Sequence, residues 1–358
     1  MKIAFYAPLK SPNHRVPSGD RTMARALMDA LKDGGAEVHL ASEFRSLEKT
    51  GSRQLQTGMI EQAHQQAADI VQKFQDAQLT AWVTYHNYYK APDLIGPAVS
   101  ATLGIPYLII EATRARKRLD GAWATFAARS EAACDAAQVI FYLTDRDNEA
   151  LERDAPDAQT LIHLRPFLNR STLPAPSSQD GPMLSVGMMR EGDKLASYLL
   201  IADTLAVLRH RDWRLDIIGD GDARHRVEDM MARFGKNVRF LGRQDAKEVA
   251  AAYSHAKLLF WPGVNEAFGM TYLEAQAAGV PVVAQDRPGV RDVVLTHGPA
   301  PRQGPGPMAQ RIQDLLDNNQ QATNEGVEAR NFIQRRHLRP AATQTLLKGL
   351  SAAIEAAA

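Results

Sequence analysis

Residues 258–284 read Leu258-Leu-Phe-Trp261-Pro262-Gly263-Val-Asn265-Glu266-Ala-Phe268-Gly269-Met270-Thr271-Tyr-Leu-Glu274-Ala-Gln-Ala-Ala-Gly279-Val-Pro281-Val-Val-Ala284. A continuous apolar run ends at Trp261-Pro262, as a strand buried on both faces would. A loop with Gly263 and Gly269 follows. A helix is expected to begin near Met270 and to stop at Gly279, a residue that tolerates the left-handed conformation helices often end in. Pro281 opens the next strand. The loop therefore delivers a helix N-terminus, with its free N–H groups and positive dipole end, to the carboxyl edge of a sheet, where an anion such as a diphosphate is favoured. Gly269 leaves room for a ligand to approach the backbone. Glu266 precedes the helix and Glu274 lies about one turn inside it. Two carboxylates beside an anion site make sense only if they accept hydrogen bonds from sugar hydroxyls while cations neutralise the phosphates.

The same strand–helix rhythm runs through the chain. Strands are expected at Ile3–Pro8, Val38–Ala41, Ala81–Tyr85, Tyr107–Ile110 and Val139–Leu143. A first helix, Asp20–Lys32, should bury Met23, Leu27, Met28 and Leu31 and stop at Gly34-Gly35. Residues 166–182 are Pro/Ser-rich and lack periodicity, which reads as a linker. The alternation restarts with strands at Met183–Gly187, Leu215–Gly219, Val238–Leu241, Leu258–Pro262 and Val280–Ala284, and a helical tail covers Ala341–Ala357. This is the α/β pattern of doubly wound parallel sheets. The expected organisation is residues 1–165 as one Rossmann-like domain, 166–182 as linker, 183–340 as a second, and 341–358 as a helix packing back on the first.

Composition narrows the function classes. The 358 residues carry a net charge of +1, with 45% apolar and 23% charged residues. That is the profile of a globular protein with material for two cores, and nothing in it points to nucleic acid. The one cysteine, Cys134, excludes a disulfide framework or a cysteine-based zinc site and reads as a buried filler. No apolar run approaches the ~20 residues of a membrane span. Met1–Phe5 leads directly into a strand without a signal-peptide core. The expected location is the cytoplasm, with at most a weak peripheral contact at the inner face of a membrane.

The segment 262–284 resembles the retaining glycosyltransferases of the GT-B fold that carry the pattern Glu, seven residues, Glu (the family 4-like, group 1 glycosyltransferases). The likeness includes Phe268-Gly269 and the run Leu-Glu-Ala-Gln-Ala-Ala-Gly-Val-Pro-Val-Val-Ala at 273–284. It implies two Rossmann-like domains facing a cleft. It also implies that Glu266 contacts donor-sugar hydroxyls, that Glu274 binds the nucleotide ribose, and that the amides of Gly269, Met270 and Thr271, beside Phe268, cradle phosphate and sugar. In Leu184-Ser-Val-Gly187-Met-Met-Arg190-Glu-Gly-Asp-Lys194, the family's Arg and Lys hold the leaving diphosphate. Arg190 and Lys194 take those roles, although the family's Arg often follows the Gly directly, where this chain has Met188. Preorganised cations there stabilise the charge that develops as the diphosphate departs. Gly219-Asp-Gly221 lacks the third glycine of a dinucleotide fingerprint. It reads either as a turn lining the nucleotide pocket or as a structural turn.

In the first half, Ser18-Gly19 stands in the Leu9–Gly19 loop, with Pro12 and Pro17, where the family has a glycine-bearing loop near donor phosphate or acceptor. His86 and Glu111 close two strands. Many relatives have a histidine where this chain has Glu111. The basic run Arg114-Ala-Arg116-Lys117-Arg118 reads as a solvated face or as contact with an anionic acceptor.

The resemblance thus implies transfer of a hexose-type unit from a UDP- or GDP-sugar to a hydroxyl on a glycan, glycolipid or small molecule. Configuration would be retained by a front-face mechanism, with no metal and no cofactor beyond the substrate itself. A nucleotide-sugar epimerase and a non-catalytic nucleotide-sugar-binding subunit are the alternatives. A nicotinamide dehydrogenase is disfavoured by the incomplete glycine fingerprints.

Overall fold

The computed structural model describes residues 1–16, 18–210 and 212–357; Pro17, in the Leu9–Gly19 loop, lies outside them. The chain divides into two compact units, Met1–Arg165 with Arg339–Ala358, and Pro166–Leu338.

The first unit is built on six strands: β1 (Lys2–Tyr6), β2 (Glu37–Ser42), β3 (Ala81–Asn87), β4 (Tyr107–Ala112), β5 (Val139–Tyr142) and β6 (Thr160–His163). They are all parallel, in the order β2-β1-β3-β4-β5-β6. The central strands are almost wholly buried, which is why their sequences are continuous apolar runs. β6, which no expectation included, is an edge strand with no fully buried residue; its mixed Thr-Leu-Ile-His sequence reflects that. The first helix, Gly19–Asp33, buries Met23, Leu27 and Leu31, while Met28 is half-buried. Ser18 caps it by accepting from the Arg21 amide, satisfying one of the donors a helix start leaves open. The closing helix, Arg339–Ala357, belongs to this unit. The Thr343 hydroxyl donates to the Ala30 carbonyl at 3.0 Å and Arg339 pairs with Asp33 at 2.7 Å. A Cβ on Gly349 would stand 2.3 Å from the Phe141 ring, so only glycine lets the helix sit this low on the sheet. Cys134 is buried and its thiol is pushed up to about 12 by that burial.

The second unit holds β7 (Met183–Val186), β8 (Leu215–Ile218), β9 (Val238–Gly242), β10 (Leu259–Phe260) and β11 (Val282–Val283). These form a parallel sheet in the order β11-β10-β7-β8-β9. Residues 166–182, read above as a linker, are instead an ordered strap within this unit. Leu168 N–H donates to the His337 carbonyl at 2.8 Å, Ser177 N–H to Ala278 at 2.7 Å and Gly181 N–H to His255 at 2.7 Å. Proline and serine exclude regular structure, but the strap's backbone groups still find partners, and Phe167 and Leu168 anchor it through burial. Among the described residues, no helix is long and apolar enough to cross a membrane.

Candidate functional site

In the second unit the loops after β7 and β8 and the loop after β10 gather at the carboxyl edge of the sheet, the ligand-binding edge of such folds. Two glycines, Gly219 and Gly221, let the first two loops touch backbone to backbone, and a third, Gly187, makes room for the Trp261 ring. A Cβ on Gly187 would lie 2.5 Å from the Trp261 ring, one on Gly219 1.8 Å from the Gly187 carbonyl oxygen, and one on Gly221 2.3 Å from the Met189 carbonyl oxygen. Their first role is thus packing. Gly219→Ala is expected to destabilise the protein by about 3 kcal/mol, the upper part of the usual overpacking cost, measured by urea unfolding.

The loop after β10 is tied to the helix Asp193–Val207. Val264 N–H donates to Ser197 Oγ at 3.1 Å and Asn265 Nδ2 to Asp193 Oδ1 at 2.8 Å. That helix carries Lys194, and the tie brings Lys194 and Glu266 together: the ammonium pairs with Glu266 Oε1. Trp261 was missed as a site residue. Its Nε1 donates to the same oxygen at 2.8 Å, and the Lys194 ammonium lies 5.4 Å from its ring centroid. Its place at a strand end before Pro262 was the available signal.

Gly269, with φ +67°, is the N-cap of the helix Met270–Ala277, and no side chain caps that helix. The amides of Gly269, Met270 and Thr271 donate to no described residue. The positive end of the helix is thus open to an anion. The Thr271 hydroxyl lies 2.7 Å from Tyr253 Oη, another residue not anticipated. Phe268 is half-buried against the core. Glu274 is half-buried. No hydrogen bond or ion pair joins its carboxylate to any described residue, and burial raises its pKa to about 7. A carboxylate held this way lacks the donors that normally accompany burial. Arg190 stands in the loop after β7 with an exposed side chain; the structure does not join it to Lys194 or Glu266.

The first unit presents a second cluster at the carboxyl edge of its own sheet. His86 and Glu111 are next to last in β3 and β4, with φ of +66° and +62°. Such backbone is costly for residues with a Cβ and concentrates at functional sites. His86 Nδ1 lies 3.2 Å from Asp20 Oδ1 and 3.7 Å from Glu111 Oε2. Burial alone would lower the His86 pKa, but the carboxylates of Glu111 and Asp20 outweigh it and the net shift is upward. Asp20 is held below its usual range by the hydrogen bond from His86. Glu111 is pushed up by burial, with repulsion from Asp147 and Asp20 adding to it against the pull of His86. Asp147 is likewise raised by burial. Asp20 and Asp147 were not anticipated: they act on the imidazole from the first turns of two helices, Gly19–Asp33 and Asp145–Asp154, and only the acid in the first turn after Ser18 hinted at it. Ser18 is the helix cap described above, and a Cβ on Gly19 would meet nothing within 4 Å, so packing does not demand that glycine. Asp20→Asn is expected to lower the His86 titration midpoint, followed by the imidazole NMR signals; an unmoved midpoint would refute the coupling.

The basic run is divided. Arg114 is buried and bridges Glu131 at 3.0 Å and Asp135 at 2.6 Å, so it holds the fold and faces no acceptor. Arg116 pairs with Asp154 at 3.2 Å. Lys117 and Arg118 are exposed.

Residues 180–332 match the family model described as glycosyl transferases group 1. The phosphatidyl-myo-inositol mannosyltransferase of Mycobacterium tuberculosis H37Rv is 33% identical over 147 residues, which is 41% of this chain and 39% of that protein. The GDP-mannose-dependent alpha-mannosyltransferase of Mycolicibacterium smegmatis is 39% identical over 93 residues, 26% of this chain and 24% of that protein. The matched stretches therefore span well under half the length of these relatives. Among solved structures, the sucrose-phosphate synthase of Thermosynechococcus elongatus aligns over 100% of both chains with TM-score 0.72 and 18% identity. Anabaena HepE in complex with UDP aligns over 98% of this chain and 100% of its own, with TM-score 0.70 and 17% identity. At that identity the likeness shows the fold, which is GT-B. Through residues 180–332, within and just short of the whole second unit, the chain is similar to the glycosyl transferases group 1.

Proposed function

We propose that the protein is a retaining glycosyltransferase that moves a hexose-type unit from a UDP- or GDP-sugar to a hydroxyl acceptor without a metal. The observation that carries this is Glu274: a half-buried carboxylate without a partner among the described residues, one turn inside a helix whose first amides are open. Ribose hydroxyls would supply its missing donors, and the diphosphate would take the amides. Lys194 would then stabilise the leaving phosphate and Glu266 would accept from a sugar hydroxyl, with Trp261 holding both. Arg190 is proposed as a second cation that swings onto the diphosphate. In the front-face reaction the bond from anomeric carbon to phosphate opens, the acceptor oxygen bonds to the same face of that carbon, and the departing phosphate oxygen takes the acceptor's proton. His86 and Glu111 are proposed to bind the acceptor hydroxyl. The mannosyltransferase relatives make GDP-mannose the first donor to try, and UDP is kept because HepE is seen with it. The protein is proposed to work in the cytoplasm.

Thermal-shift binding with GDP, UDP, ADP and NAD, with and without EDTA, tests the reading, since a ligand of the native state raises the melting temperature by mass action. One nucleoside diphosphate should shift it, insensitively to EDTA. A shift with NAD alone, or none with any diphosphate, would overturn the assignment.

A further inference from the structure

The first unit carries a line of aromatic rings running outward from His86. Ring centroids are 5.2 Å apart for His86 and Tyr88, 5.6 Å for Tyr88 and Tyr89, and 5.9 Å for Tyr89 and Trp123. Tyr88, Tyr89 and Trp123 are each half-buried. At the far end sit two cations. Lys90 Nζ lies 4.8 Å from the Trp123 centroid and 5.7 Å from that of Tyr89, and the Arg118 guanidinium lies 5.2 Å from the Tyr89 centroid. Neither forms an ion pair with a described carboxylate. A ring face orients a cation without neutralising it, so both charges remain available.

The platform beneath is rigidly built. The Glu48 carboxylate accepts from the amides of Thr50, Gly51 and Ser52 and from the Thr50 hydroxyl. It is thereby spent on its own loop and does not answer Lys90. That loop places Gly51 so close that a Cβ would stand 3.3 Å from the Trp123 ring. Gln56 Nε2 donates to the Ala122 carbonyl at 2.9 Å, fixing the turn that carries Trp123. The line thus has an acidic end, with Asp20 and Glu111 at His86, and a basic end at Lys90 and Arg118.

We propose that this line is the acceptor track and that the acceptor is an acidic glycan, a sugar chain bearing carboxylates. The inference rests on the glycosyltransferase reading above. The reacting hydroxyl lies at the His86 end, where carboxylates accept from neighbouring hydroxyls. Pyranose rings follow the aromatics, because sugar C–H faces carry slight positive charge and aromatic faces slight negative charge. A carboxylate farther along the chain meets Lys90 and Arg118. A lipid headgroup would use the cations but would have no need of the rings between them and His86.

Calorimetric titration tests this with tetrasaccharides of galacturonate, mannuronate and hyaluronate, each beside its methyl ester, which keeps the skeleton and removes the charge. At least one acid is expected to bind about tenfold more tightly than its ester, the size of one charge-assisted hydrogen bond. A Lys90→Gln/Arg118→Gln variant should erase the difference while keeping its melting temperature and its nucleoside diphosphate shift. Trp123→Ala should weaken acid and ester alike. If the protein binds a nucleoside diphosphate but treats each acid and ester equally, or binds none of them, the track is refuted and the donor reading stands. If no nucleotide binds, ester-sensitive and Lys90/Arg118-dependent oligosaccharide binding still supports the track. Binding to phosphatidylglycerol vesicles that needs Lys90 and Arg118, with no preference for acid over ester, would overturn it in favour of a membrane surface.

Discussion

Glu274→Gln is expected to weaken nucleoside diphosphate binding by about two orders of magnitude, the effect of losing two charge-assisted hydrogen bonds, while making the ligand-free protein more stable at neutral and alkaline pH. Both results follow from one feature. The Glu274 carboxylate is half-buried with no partner among the described residues, and burial raises its pKa from 4.5 to about 7. The folded chain therefore holds this proton where the unfolded chain has released it. Below pH 4.5 neither state is charged and Glu274 costs nothing. As pH rises to 7 and beyond, the folded state must carry a buried, unanswered charge, so stability falls across that interval. Glutamine removes the charge, and the gain in melting temperature should be largest above pH 7 and vanish below 4.5. Nucleotide affinity should run the other way in the wild type, rising through pH 7 as the carboxylate ionises and can accept from two hydroxyls. Melting curves and titrations from pH 4 to 9 measure both. A variant with wild-type nucleotide affinity would dismiss Glu274 as a ribose ligand.

Lys194→Ala is expected to lower kcat by about 10²–10³, as loss of one preorganised group facing developing charge does, with a smaller effect on KM. Lys194 faces the loop that bears the open helix N-terminus, and its pairing with Glu266 fixes its direction. Removing it also leaves Glu266 with the Trp261 N–H as its remaining partner. The carboxylate proposed to bind the sugar is then misdirected. The effects of Lys194→Ala and Glu266→Ala should therefore be far from additive: the double variant should be little worse than the poorer single one, as residues that act as a unit behave. Steady-state kinetics of the four proteins would show it. Additive losses would mean that the pair seen here plays no part in the reaction.

How much of this was readable in advance depended on whether the decisive contact was local. The strand, loop, helix, Gly279 and Pro281 of residues 258–284 are short-range signals, and the open helix start follows from Gly269 offering no capping side chain. His86 and Glu111 were legible as strand ends because parallel strands point their carboxyl ends the same way. What escaped was convergence. Asp20 and Asp147 act on His86 from the starts of two helices that only the strand order brings together. Trp261 matters because the helix Asp193–Val207 docks beside it. Arg114 looked like part of a basic face until Glu131 and Asp135, a helix away, claimed it. Residues 166–182 lacked periodicity, which spoke correctly against helix and strand but said nothing about long-range hydrogen bonds. β6 was hidden because an edge strand need not be apolar.

The closing helix has a consequence for the order in which the protein is made. The second unit is one unbroken stretch, Pro166–Leu338, whereas the first needs Arg339–Ala357 from beyond it. During synthesis the earlier residues emerge with the groove beside Ala30 and Phe141 unfilled, and it stays so until the intervening unit has left the ribosome. The half of the chain translated first is therefore the half completed last, and its uncovered apolar surface is the stretch a chaperone would meet.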